Sequence, residues 1–531
     1  EVLNVPATVE KIYGEAFLKS TVKTVNILGN VKSIGSSAFY YCRKLETINI
    51  IGSVEEYGNK TAGYSFEEYS FEYGFRGSFM RCNLKNIVLK GVKYIGAETF
   101  ALNPLNSIKF DTSLQYVSID ALPFFETYSD DDGLSELSFI AATADSDGRT
   151  WNTSRNIYID NGKALVTKGT GINNGDTFIV YCPLAQGENY NIPNGVTTLT
   201  PFAFYNNQKV AELTIPEGVE EIPGMFAASS NIRIVNIPAS VKSINNRYGV
   251  ELLDPSGMKR MTNYLWQNNI FFADFNIQGG AFIFCFFLEQ VNIAENSQLE
   301  EIGISAFAYC SLTEFFVPAS VKKIGLGAFF CFDTYYYNGQ ASKLESITVQ
   351  TGNAFYKTID GVLFTADGKN LVQFPAASKN LVDGVYTIPD GVEVIEELAF
   401  YNVGVVKKIV AGKDVKIIAP MALAFCYNLV KDGDQLNQLG LEEIVFTGEV
   451  QEIYISAFEN NRQLKRISFV GAPPKFSISK DYFYENTLFE YYDGLSDTYV
   501  FFDNLKFDVP DAHIMEYYEK FTAYSAVYAQ G

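Results

Sequence analysis

The sequence predicts a β-rich solenoid: short parallel strands stacked in coils, little helix, and a capping helix at the C-terminus. Three observations predict it. A unit of about 22 residues recurs along the chain, each copy holds two apolar pieces with a turn between them, and the last segment leaves the repeat with a helical pattern.

The recurrence is direct. Segment 31–50 (VKSIGSSAFYYCRKLETINI) matches 299–317 (LEEIGISAFAYCSLTEFFV), and 9–27 and 219–237 carry the same unit. Phe17 to Phe39, Phe204 to Phe226 and Phe307 to Phe329 are each 22 residues apart. The first piece places apolar side chains at i, i+3 and i+5, as in Val22/Val25/Ile27, Leu45/Ile48/Ile50, Leu105/Ile108/Phe110 and Leu464/Ile467/Phe469. The i+3/i+5 pair has the period of a strand with one buried face. Pro216, Pro238, Pro318 or Gly448 then ends it, since proline cannot donate to a ladder.

The second piece reads Val-x-x-Ile-Gly and then Ala-Phe. Val31/Ile34/Gly35 leads to Ala38-Phe39, and Val321/Ile324/Gly325 leads to Ala328-Phe329. A small residue beside a large ring suits a tight corner with the ring filling the interior. One unit closes no core by itself, but stacked neighbours share one. At a strand spacing of about 4.8 Å, about fifteen coils give a rod or arc roughly 70 Å long.

Composition agrees. Of 531 residues 47% are hydrophobic and 19% charged, which is neither disordered nor fibrous. The chain carries 41 basic and 61 acidic residues, a net charge of −20. Nucleic acid and anionic membrane surfaces both need a basic footprint, and the sequence has no such cluster. The longest apolar run, 281–288, falls well short of the ~18 residues of a membrane span. The first residues, Val2-Leu3-Asn4-Val5, read as a strand rather than as a signal peptide.

The repeat is interrupted near 55–80, 124–155 and 245–280, and more briefly at 332–340 and 482–502. Insertions in a solenoid emerge as loops, often on the binding face. These are rich in aromatics, and Tyr64, Tyr69, Tyr73, Trp266 and Tyr336 are the candidate ligand contacts, because exposed rings offer large area at low entropic cost. The plainer role for such rings is to fold back and cover a solenoid edge.

Catalytic, cofactor-binding and metal residues are not expected. Seven cysteines occur without a Cys-x-x-Cys pair, and Cys42, Cys82, Cys285 and Cys310 each lie three residues after the motif Phe, as structural thiols of a buried ladder would. The sole histidine, His513, falls in the expected cap helix, and no Gly-x-Ser-x-Gly elbow accompanies it. Acids such as Glu220-Glu221 and Glu300-Glu301 occupy solvent positions of the repeat rather than a marked cleft. Asp145-Ser146-Asp147-Gly148 begins like a calcium loop, but Arg149 and Asn156 stand where ligands belong, so a solvated turn is the reading there and at Asp130–Asp132.

The Leu-x-x-Ile-x-Ile-Pro strand, the Val-x-x-Ile-Gly-x-x-Ala-Phe-x-x-Cys piece and the period together resemble the BspA-like family of leucine-rich repeats. Segment 355–375 (FYKTIDGVLFTADGKNLVQFP) resembles another hallmark of that family, with a degenerate version at 156–183, and 504–518 resembles its closing strand, Val-Pro and helix. The resemblance implies a leucine-rich-repeat solenoid over 1–503 and a cap over 504–531. It further implies a non-catalytic, secreted or surface-displayed bacterial protein, monomeric, that binds a host or matrix protein. A glycan-binding accessory of a polysaccharide uptake system and a pure spacer are the alternatives.

Overall fold

The computed structural model describes residues 1–58, 77–96, 98–118, 121–122, 133–244, 280–330, 342–432, 435–454, 456–477, 490–493, 498–501 and 505–528. The chain forms two compact units. One holds residues 1–273, 277–288 and 292–297, and the other holds 274–276, 289–291 and 298–531.

In the first unit, the i+3/i+5 pieces are parallel strands stacked in register. Val2–Val5, Thr24–Ile27 and Thr47–Ile50 form one sheet, and Asn86–Leu89, Ser107–Phe110 and Glu136–Phe139 another. Val25, Ile27, Ile87, Leu89, Ile108 and Phe110 are buried, as the alternation requires. The Val-x-x-Ile pieces make a second, five-stranded parallel sheet that ends at Tyr116–Val117. Gly35 is required by the stacking itself: a Cβ there would lie 2.6 Å from the backbone nitrogen of Gly14 in the adjacent coil.

The Ala-Phe corner has a specific backbone solution. Amides of Ala38, Tyr40 and Cys42 donate back three residues, to Gly35, Ser37 and Phe39. The intervening amides of Phe39 and Tyr41 point along the stack instead, to the carbonyls of Ser78 and Met80. Turning alternate amides outward puts Ser37 and Tyr41 at φ 58° and 62°, and Glu15/Lys19, Leu398/Asn402 and Met421/Phe425 repeat the pair. Each non-glycine residue in that region costs about 1–2 kcal/mol, which the inter-coil hydrogen bonds offset. Inside the corner the rings stack: Phe17 on Phe39 and Phe39 on Phe79, both at 4.9 Å.

The periodicity misplaces one ring. Phe204 donates its amide to the carbonyl of Phe226, and Ala227 to that of Ala281, as Phe17 does to Ala38. Ala227 therefore holds the motif Phe position and Phe226 the small-residue position, so the true spacing there is 23. Phe226 remains fully buried, but meets Phe204 and Phe282 at 62° and 86° instead of stacking face to face.

The 124–155 segment, expected as an insertion, carries a repeat strand. Leu134, Leu137 and Phe139 have the i, i+3, i+5 spacing, and Glu136–Phe139 pairs in register with Ser107–Phe110. A mixed sheet follows, in which Arg149–Trp151, Ile157–Asp160, Ala164–Thr167 and Asp176–Tyr181 run antiparallel to one another. Likewise, Phe79 at the end of 55–80 is buried in the ring stack, so the coil resumes before residue 80.

The second unit repeats the scheme. Lys408–Ala411, Glu443–Phe446, Arg466–Ser468 and Lys506–Asp508 are parallel neighbours. The hallmark segment is a meander of Tyr356–Ile359, Val362–Thr365 and Asn370–Gln373 feeding a parallel sheet. A hairpin of Tyr427–Asp432 and Gln435–Gly440 interrupts the repeat at a place the sequence reading passed over. The closing strand is followed by a 3-10 turn, Asp511–His513, and the helix Ile514–Tyr528. His513 thus precedes the helix, half-buried, with Nδ1 3.2 Å from Glu516 Oε1.

Candidate functional site

The corner explains the cysteines. The thiol of Cys42 donates to the carbonyl of Phe17 at 3.0 Å, Cys82 to Phe39 at 3.2 Å, Cys285 to Ala227 at 3.0 Å and Cys426 to Phe400 at 3.1 Å. In each case the acceptor is the carbonyl at the motif-Phe position of the preceding coil. Asn103 and Asn461 hold the same position with side-chain amides, donating to Phe79 and Leu423. These groups satisfy a buried acceptor, and burial pushes the Cys285 thiol up to about 11 and the Cys182 and Cys426 thiols up as well, while the neighbouring Cys82 thiol holds that of Cys42 below its ordinary value.

Outside the coils, parallel register converts single residues into ranks. Asn26 donates to Asn4 Oδ1 at 2.7 Å, and Asn49 to Asn26 Oδ1 at 2.8 Å, across three strands. Beside the second sheet, Glu10, Lys32, Glu55 and Lys93 alternate in sign on successive coils, with ion pairs of 2.8 Å for Lys32–Glu10 and 3.0 Å for Lys93–Glu55. In the second unit Glu393 lies between Lys369 at 3.0 Å and Lys416 at 3.2 Å. Tyr94 and Tyr116 continue the outward rank of Ser33 and Glu56, their rings stacked at 4.6 Å and 8°.

One cluster differs from this pattern. Trp151 lies half-buried on the edge strand Arg149–Trp151, tilted on Tyr158 at 4.8 Å. Its indole N–H donates to Asp145 Oδ2 at 2.8 Å, while Asp145 Oδ1 accepts from the amides of Asp147 and Arg149. Those donors, the indole first, hold the Asp145 carboxyl below its ordinary range. The segment that opens like a calcium loop is therefore a closed turn whose carboxylate is already engaged. Arg155 stands 5.2 Å and Lys168 5.5 Å from the centre of the Trp151 ring, and Arg149 5.0 Å from that of Tyr158.

The five sequence-predicted contacts, Tyr64, Tyr69, Tyr73, Trp266 and Tyr336, lie outside the described residues, as do Asp130–Asp132 and Cys331. The Trp151 cluster was missed. Trp151 and Arg155 lie in a segment already marked as an insertion, but Lys168 joins them only through the antiparallel register that pairs Ile157 with Thr167. Among the described residues no group of three or more His, Cys, Asp or Glu is placed to hold a metal ion. No described helix is long and apolar enough to cross a membrane.

Six stretches, 1–75, 75–128, 177–248, 266–361, 383–432 and 434–500, match the BspA type leucine rich repeat region. Among solved structures, the chain is similar to the pneumococcal vaccine antigen PcpA, at 17% identity over 71% of this chain and 95% of that one, with a TM-score of 0.38. It is also similar to a leucine-rich repeat protein of Bacteroides ovatus (17% identity, 96% and 92% covered, TM-score 0.28). A third is a leucine rich cell surface protein of Faecalibacterium prausnitzii (17% identity, 59% and 88% covered, TM-score 0.30). No curated protein matches. The stacked coils, the ring-filled corners and six matching stretches over most of the length lead to one conclusion: the chain belongs to the BspA-type leucine-rich-repeat family.

Proposed function

We propose that the chain is a non-catalytic recognition module, secreted or displayed at a bacterial cell surface, that binds a host or matrix protein. The observation that carries this reading is the register-locked rank of outward side chains. Asn4, Asn26 and Asn49 are tied to one another across coils, and so are Glu10 with Lys32 and Glu55 with Lys93. Side chains already held by neighbours lose little freedom on binding, which favours recognition over a broad surface. The perturbed groups named above are core thiols raised by burial and an acid consumed by its own turn, not a paired acid and base facing a cleft. The aromatic insertions are the expected contact loops, and the chain acts as a monomer.

Purified chain is screened against arrayed extracellular-matrix proteins and glycans, beside a variant with Tyr64, Tyr69, Tyr73, Trp266 and Tyr336 changed to Ala. Capture of a matrix protein that the variant loses supports the reading. Capture of neutral glycans alone replaces it with a saccharide-binding role, and no capture by the correctly folded chain moves it to a spacer.

A further inference from the structure

We propose that Trp151, Arg155 and Lys168 form a binding site for an acidic saccharide, one bearing carboxylate or sulfate groups. The site goes beyond the protein-binding reading and stands or falls separately from it.

Several described lysines are neutralised across coils. Lys32, Lys93, Lys242, Lys322, Lys369 and Lys465 each pair with a glutamate on a neighbouring coil. Arg155 and Lys168 are different. They are exposed, they converge on one indole at 5.2 and 5.5 Å, and among the described residues neither has a carboxylate within ion-pair distance. Two cations beside one aromatic ring offer an anionic ligand two charged contacts and one apolar one.

The cluster is also held in place. Asn152 is buried directly after Trp151 and fixes the turn that presents Arg155: its Nδ2 donates to Leu114 and to Asn156 Oδ1, and its Oδ1 accepts from the amides of Asn156 and Ile157. Asp145 anchors the indole edge, and Tyr158 supports the ring. Arg149 lies two residues before Trp151 on the same strand face, with its Nε buried and unpartnered.

The chemistry of the three side chains selects the ligand. An indole face stacks on the apolar face of a pyranose. A guanidinium fork binds carboxylate or sulfate through two parallel hydrogen bonds, and a lysine adds a point charge. One ring and two cations suit one or two sugar units. A protein interface, by contrast, buries about 800 Å² per partner.

The test is calorimetric titration of the full chain with four probes: a heparin-derived hexasaccharide, an oligogalacturonate, maltohexaose and polyglutamate. The same titrations use Arg155→Ala/Lys168→Ala, whose exposed side chains leave folding intact by circular dichroism, and Trp151→Phe. The expected result is binding of at least one acidic saccharide, about tenfold weaker in the double variant, with a shallower dependence on salt. Ligand-induced change in tryptophan fluorescence disappears in Trp151→Phe. Failure of both acidic saccharides to bind overturns the proposal, as does equal binding by the double variant or by maltohexaose. Tighter binding of polyglutamate than of either saccharide overturns it in favour of an acidic protein ligand.

Discussion

The rings of Phe39 and Phe79 stack at 4.9 Å and 7°, as closely as Phe17 and Phe39, although 40 residues separate them instead of 22. The 59–76 segment is thus inserted between two coils without altering how they meet. Loop-closure entropy grows only with the logarithm of length, so such a segment is free to vary for function. Replacing 59–76 with a short Gly-Ser linker is expected to leave the urea midpoint nearly unchanged. Ligand capture falls if Tyr64, Tyr69 and Tyr73 are contacts. A large loss of stability would instead mean that this segment covers the core.

The stack itself is a different matter. Phe79 is fully buried among Phe39, Phe100 and Tyr57. Phe79→Ala removes a ring from a column whose neighbours are fixed by inter-coil hydrogen bonds, so the cavity cannot collapse. The expected cost is about 3–5 kcal/mol, read from urea unfolding. Because repeat stability is a sum of local and nearest-neighbour contributions, the transition should broaden as well as shift.

The strands were legible because the i, i+3, i+5 rule is a direct image of one buried face, and Val25/Ile27 and Ile467/Phe469 follow it. Where the rule lay inside a stretch already marked as irregular, as at Leu134/Leu137/Phe139, it was overlooked. Phe226 shows the limit of counting: adjacent positions can exchange large and small residues, and only the hydrogen-bond register reveals the exchange. The cysteine position was visible, but its equivalence to Asn103 and Asn461 was not, since the shared property is a donor aimed at one carbonyl. The Trp151 cluster depends on strand pairing between residues far apart along the chain, which no local pattern encodes.

Thiol reactivity follows from burial. The thiolate is the reactive form, and burial raises the thiols of Cys182, Cys285 and Cys426 well above their ordinary range. In native protein at pH 8 these three should resist alkylation, as read residue by residue by mass spectrometry, and label promptly in denaturant. Rapid native labelling of Cys285 would contradict its hydrogen bond to Ala227.

The charge ranks predict a pH dependence. Lys369 and Lys416 hold the Glu393 carboxyl below its ordinary 4.5, by hydrogen bonds first and charge second. A carboxyl whose folded pKa is lowered contributes stability above the unfolded value and loses it as pH falls through the folded one. Wild type should therefore lose thermal stability more steeply on acidification below about pH 4.5 than Glu393→Gln does. Because the side chain is partly exposed to solvent, high salt should shrink the difference. Parallel acid slopes for the two proteins would show the rank to be energetically silent.

The C-terminal helix provides the last prediction. Tyr517 is buried against Phe469 at 5.4 Å and donates its hydroxyl to Ala472, while Phe521 lies 4.4 Å from Phe507 and 5.8 Å from Phe476. A solenoid coil presents an apolar cross-section at its end, and a terminal cap with a polar outer face is what keeps that surface from water. Truncation after residue 509 uncovers Phe469, Phe476 and Phe507 together, and the shortened protein should self-associate on size-exclusion chromatography. A gentler test uses pH. Burial raises the Tyr517 phenol to about 12 from 10.0, with Glu449 and Glu516 adding to the effect. A raised phenol contributes stability that is complete below the unfolded value and lost as pH climbs through the folded one. Amide exchange in the strand Lys506–Asp508 should then accelerate between about pH 10 and 12 in wild type, beyond the intrinsic rate. In Tyr517→Phe, which keeps the ring and removes the titrating hydroxyl, that added acceleration should vanish. Its persistence in the variant would place the alkaline opening elsewhere in the unit.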